Sequence, residues 1–107
     1  MPAAARGNGV DEVFSKTGSG GSKPGCPSPL DTQTDECSDN VFVNGTGIVR
    51  INDRVNPHTA AGCGVDQSPL TTSSSTVFIN GLGAGRIGDE YTSDNIITSG
   101  SDNVFIG

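Results

Sequence analysis

Short apolar runs recur along this chain in one frame. Val41-Phe42-Val43 is followed by Asn44-Gly45 and then by Ile48, Val49 and Ile51. Val77-Phe78-Ile79 is followed in the same frame by Asn80-Gly81 and then by Leu82, Ala84 and Ile87. Short β-branched and aromatic runs bounded by turn residues are the signature of strands, and Asn-Gly is the strongest short signal for a two-residue hairpin. Each block therefore predicts a hairpin, with strands over 41–43 and 48–51 in the first and the equivalent strands around Asn80-Gly81 in the second. No window keeps apolar residues at the helical period for ten residues, so the chain reads as almost all β and loop.

The two blocks are copies of one another over 41–53 and 77–89, and internal repetition outranks other signals. A third copy begins at Ser101-Asp102-Asn103-Val104-Phe105-Ile106, which reproduces Ser38-Asp39-Asn40-Val41-Phe42-Val43, and it stops at Gly107. Its missing half is found at the other end: Ala3-Ala4-Ala5-Arg6 matches the small residues and Arg of Gly83-Ala84-Gly85-Arg86. The expectation is a single domain over 1–107 built as a ring of three pseudo-equivalent units, with Ala3–Arg6 beside Val104–Ile106. Polar excursions from about Val10 to Ser38, Arg54 to Ser75 and Glu90 to Ser101 leave one face of the ring and meet above it. Gly18 to Pro29, rich in Gly, Ser, Lys and Pro, predicts a long surface loop.

Composition changes this picture in one respect. The chain is only 32% hydrophobic and has no Trp, a low apolar content for a fold that must offset its ordering entropy by burial, so a further staple is expected. The formal charge of −6 has the wrong sign for nucleic acid or anionic lipid. No signal-peptide pattern or bilayer-length apolar run is present, which predicts synthesis in the cytoplasm.

Cys26, Cys37, His58 and Cys63 are the soft or borderline metal donors of the chain, and together they make the Cys₃His set of a closed structural zinc site. The spacing lacks paired CxxC knuckles, so scattered thiols with a surface histidine stand as the alternative. Position favours the metal: two donors lie in the first excursion and two in the second. Iron also occupies sulfur-rich tetrahedral sites. Four protein donors leave no place for a catalytic water, and His58 has no second histidine to act as base, so no enzyme is expected.

Gly83 to Gly88 fits GxGxxG but sits in a hairpin rather than a βαβ unit. Lys16-Thr17-Gly18 and the Ser-Asp-Asn triplets at 38–40, 93–95 and 101–103 lack the SxxK of a penicillin-binding site. Asn44-Gly45-Thr46 matches a glycosylation sequon, but the turn explains it better. The pairs Asp11-Glu12, Asp35-Glu36 and Asp89-Glu90 read as solvated loop carboxylates.

Pro2-Ala3-Ala4-Ala5-Arg6, the two VFxNGxGxxRIxD blocks and the terminal Val-Phe-Ile-Gly resemble PAAR-repeat proteins, which cap the spikes of contractile phage tails and type VI secretion systems. The likeness covers nearly the whole chain. It implies a mostly β, small cone of three hairpin units whose pseudo-threefold base docks on a trimeric β-helical spike, one tip per trimer, with a metal near its point. In that family histidines and a cysteine follow each unit. His58 and Cys63 match those positions, whereas Cys26 and Cys37 come from a longer loop, and the usual histidine after Arg6 is absent.

The resemblance implies a non-enzymatic tip that sharpens the spike for piercing a target envelope. Its contact with the outer membrane is transient and mechanical, and it has no small-molecule substrate. With no effector extension in this chain, a phage tail or baseplate tip is favoured over a secretion-system effector carrier. A free-standing zinc-binding adaptor is the alternative. Candidate partner contacts are Val41, Phe42, Val43, Val77, Phe78, Ile79, Val104, Phe105 and Ile106. Of these the three phenylalanines are assigned to the core in preference to the partner surface.

Overall fold

Asn44-Gly45 and Asn80-Gly81 both adopt positive φ at both residues (53° and 80°, 55° and 80°), the backbone of the tight turn that matches strand twist and that Asn-Gly tolerates best. They join β3 (Phe42–Val43) to β4 (Thr46–Gly47) and β7 (Phe78–Ile79) to β8 (Leu82–Gly83). The paired strands are only two residues long, shorter than predicted. The returning arm soon leaves its own hairpin: Arg50 bridges Ala84 of the second unit, and Ile48 bridges Arg6.

These exchanges form a closed ring. In the computed structural model, which describes residues 1–16, 30–59, 65–92 and 95–107, Val49 N–H donates to Ala5 O (3.0 Å), Ala5 N–H to Gly85 O (3.0 Å) and Gly85 N–H to Val49 O (2.7 Å). A second cycle runs from Gly7 to Gly47, Ile51 to Gly83 and Ile87 to Ala3. The chain ends complete the third unit: Ala3 bridges Phe105, and Ala4 N–H donates to Val104 O at 2.9 Å. The units are called sector one (38–53), sector two (74–89) and sector three (101–107 with 3–11).

Above the ring the three excursions rise and return as antiparallel arms. β1 (Glu12–Ser15) pairs with β2 (Leu30–Gln33) and with β10 (Asn95–Ile97), and β10 pairs with β9 (Glu90–Tyr91). Thr34 bridges Val55, Arg54 bridges Pro69, and Leu70 bridges Tyr91. The sheet therefore closes on itself as a small barrel, with every neighbouring pair of arms hydrogen-bonded and no open edge at these rungs. Beyond it, β5 (His58–Thr59) and β6 (Val65–Asp66) continue the second excursion. Among the described residues there is no helix, and none that would cross a membrane. The predicted loop over 18–29 lies outside the described residues.

Two small apolar cores sit one above the other. Val13, Val49, Val55, Leu70, Tyr91 and Ile97, with Ala5, fill the barrel; Ala4, Val43, Ile48, Ala84 and Ile106 fill the ring, with Val41, Val77, Ile79 and Val104 half-buried around them. Gly47 is needed where the lead-in to its own hairpin crosses it: a Cβ there would run into the Ser38 carbonyl oxygen and lie 2.7 Å from Cys37 Sγ.

Candidate functional site

Each sector is locked by the same polar device. Arg50 is clamped by Asp53, with Arg50 N–H to Asp53 Oδ2 at 2.8 Å, Nε to Oδ2 at 3.0 Å and Nη2 to Oδ1 at 3.1 Å. Arg86 and Asp89 repeat this at 2.8, 3.0 and 3.0 Å, and Arg6 and Asp11 at 2.6, 2.9 and 2.9 Å. The guanidinium's second edge reaches back to the backbone carbonyl of Cys37, Ser73 or Gly100. Burial pushes the Asp11 carboxyl up, but hydrogen bonds from the Arg6 side chain and backbone and from Ser99 outweigh it and hold its pKa below the ordinary carboxylate value. The neighbouring carboxylates push the pKa of each clamped arginine up.

Asp11 and Asp89 are thus not the solvated loop carboxylates their sequence setting predicts; both are buried, at 1% and 4% exposure. The reason is the fixed fork of the guanidinium, which needs a carboxylate held against the backbone turn that follows it. The Asp35-Glu36 pair does conform in part: Glu36 is half-buried and pairs with exposed Arg54.

Ser38, Ser74 and Ser101 form a second belt. Each serine hydroxyl accepts the N–H of the residue three later, Val41, Val77 or Val104, and so starts the hairpin. Each also donates to the next sector: Ser38 to Asn80 Oδ1 (2.8 Å), Ser101 to Asn44 Oδ1 (2.6 Å), and Ser74 to the Gly107 carbonyl, where no Asn is present. Sequence reading treats two of the Ser-Asp-Asn triplets, at 38–40 and 101–103, only as lead-ins to the repeat. A serine three residues before each Val-Phe, Ser74 included, was the available signal for this belt.

The outside of the ring carries the feature with functional content. Phe42, Phe78 and Phe105 occupy one equivalent position in the three sectors and are 59%, 61% and 50% exposed. This corrects their assignment to the core. In a strand successive side chains alternate faces, and the inward places are taken by smaller Val43, Ile79 and Ile106. Of the nine candidate contact residues, Val43 and Ile106 are buried, Val41, Val77, Ile79 and Val104 are half-buried, and the phenylalanines project. Beside Phe42 lies an open cleft of about 480 Å³, lined by Asp35, Glu36, Cys37, Asp39, Arg50 and Asp53 among others.

The four candidate metal donors are divided. Cys26 and Cys63 lie outside the described residues. Cys37 sits at the level of the ring, half-buried against the barrel core, with its sulfur against Gly7 and Gly47. It occupies the place held by Ser73 and Gly100 in the other sectors. Burial first, and then the Asp53 carboxylate, push its thiol pKa up.

His58 lies at the other end of the barrel, with Nδ1 2.8 Å from the Asn56 carbonyl. That contact places the proton on Nδ1 and the lone pair on Nε2, the tautomer of a ligating imidazole with a carbonyl behind it. The bridge of Thr34 to Val55 sets His58 opposite position 31, so Cys37 is six positions away (37 − 31). That is on the order of 20 Å at about 3.3 Å per residue, and the structure does not bring the two together. Among the described residues no three His, Cys, Asp or Glu side chains gather as a metal site. No protein-family model and no curated protein matches this chain.

Proposed function

We propose that the chain is a PAAR-like tip that seats on the end of a threefold-symmetric protein, a trimeric β-helical spike of a contractile injection machine, and sharpens it for piercing an envelope. The observation that carries this reading is the exposed trio Phe42, Phe78 and Phe105, set at equivalent positions around a ring whose backbone repeats three times. An exposed aromatic costs hydration free energy, about 25 cal/mol for each Å² left in water. Three such residues at matching positions meet three identical subunits with matching contacts, which is how one chain caps a trimer. The opposite end of the molecule, where the excursions extend beyond the barrel, would lead.

For the metal, the proposal keeps Cys26, His58 and Cys63 as donors and leaves Cys37 out. An ion there, zinc or iron, would cross-link the outer excursions, and the His58 tautomer suits a ligand. Without Cys37 the remaining three protein donors would not by themselves close a tetrahedral site. The non-enzymatic reading rests on the docking face instead.

Native mass spectrometry of the chain mixed with soluble trimeric spike fragments tests the reading. The expected species is one chain per trimer, lost when Phe42, Phe78 and Phe105 are all replaced by Ala while the isolated variant keeps its melting temperature. A chain that remains monomeric with every trimer would overturn it.

A further inference from the structure

We propose that the partner of this face presents a cationic side chain, Lys or Arg, beside each of its three apolar seats, and that Asp39 and Asp102 engage two of the three. The inference rests on the docking reading above and adds the chemistry of the partner's rim.

Asp39 and Asp102 each follow a belt serine by one residue and precede an exposed phenylalanine by three. Both are exposed, and among the described residues neither is part of an ion pair. The arginines near them do not cancel them. Arg50 and Arg6 are already committed to Asp53 and Asp11 through paired, charge-assisted bonds, so each clamp is close to neutral when seen from the face. The exposed unpaired charge that each of these sectors presents beside its phenylalanine is therefore that of Asp39 or Asp102, with half-buried Asp35 adding to the negative side in sector one.

Sector two has the same neutral clamp, Arg86 with Asp89, but carries Ser75 at the equivalent exposed place. The three rims thus read negative, neutral, negative around an apolar trio. In sector one Asp39 and Phe42 both line the open cleft of about 480 Å³, a volume that has room for a long side chain. A threefold partner must present the same side chain three times, and this chain answers it twice. Complementary rim charge speeds docking and excludes wrong partners more than it adds to affinity.

The vacancy in sector two makes the inference testable by gain as well as loss. Binding is measured with a soluble trimeric fragment ending in the blunt tip of a β-helical spike, at several salt concentrations. Asp39→Asn and Asp102→Asn are each expected to weaken binding by about two- to five-fold, chiefly through slower association. Ser75→Asp is expected to tighten it by a similar factor and to steepen the salt dependence, while the double Asn variant flattens it. If Phe-to-Ala changes abolish binding while all three rim variants leave affinity and salt dependence unchanged, the rim inference falls and docking stands. If the unaltered chain binds no such trimer, docking falls and takes this inference with it.

Discussion

The ring and the barrel above it share one connectivity and differ in how closely their three parts agree. In the ring the Arg–Asp clamps match to within a few tenths of an ångström, the belt serines start three hairpins alike, and the outward residue is Phe each time. In the barrel the arms are fully paired, yet the agreement fades: two residues past each clamp aspartate the inward side chain is Val13, Val55 and then Tyr91, and beyond them buried Ser15 and Asn95 have no counterpart in each arm. The excursions also differ in length. Backbone pairing alone therefore does not demand repetition. Repetition is strongest in the layer that carries the phenylalanines, which is where a symmetric neighbour would impose it.

The comparison breaks most severely if the ring tolerates bulk between its packed segments. Gly47→Ala should cost about 3 kcal/mol or more, because its Cβ meets the Ser38 carbonyl and Cys37 Sγ; urea unfolding that shows no loss would mean the ring is loosely packed. Asp53→Ala strips the Arg50 clamp in sector one and should cost about 2–3 kcal/mol, with Asp89→Ala in sector two matching it within about 0.5 kcal/mol. A large inequality would show that the sectors are alike in geometry only.

Acid titration sharpens the same point. The Asp11 pKa is lowered in the fold, so the stability it contributes is complete above the ordinary carboxylate value of about 4 and is lost as pH falls through the folded value. Asp11→Asn should remove that part of the acid limb and leave the neutral side reduced but flatter, as read by melting temperature against pH. Gly107→Asn tests the one unequal link in the belt. A Cβ there meets only Thr76 Oγ1 at 3.3 Å and Met1 Sδ at 3.9 Å, and an Asn would add a side-chain acceptor, like that of Asn44 and Asn80, beside the backbone carbonyl that Ser74 now uses. A gain of about 0.5–1 kcal/mol is expected.

The smallest effect is expected from Cys37→Ser, which installs the residue sector two already has as Ser73. Stability should change by less than about 1 kcal/mol, and the metal content measured by mass spectrometry should not change at all. Loss of metal would place Cys37 back among the donors.

Much of the ring was legible in the sequence because its signals are local and repeated. Asn-Gly fixes a turn within four residues, and the split repeat required Ala3 and Phe105 to meet. The barrel was legible only as excursions sharing a face, since Thr34, Val55, Pro69 and Leu70 form single rungs too short to leave a period. The phenylalanines were misplaced because hydrophobicity predicts burial on average, whereas position in a two-residue strand decides it here. Cys37 was grouped by donor chemistry, and only the register of Thr34 with Val55 separates it from His58.

The pairing of Ala3 with Phe105 also sets an order of events. The residues that complete sector three are separated by almost the whole chain, so the ring has no closed intermediate and Ala4, Arg6 and their neighbours wait for the last strand to appear. Loops of that length close late and slowly. The same tie resists opening, because no sector can peel away without breaking bonds to both others; a molecule of this kind is expected to fold reluctantly and, once folded, to let go just as reluctantly under load.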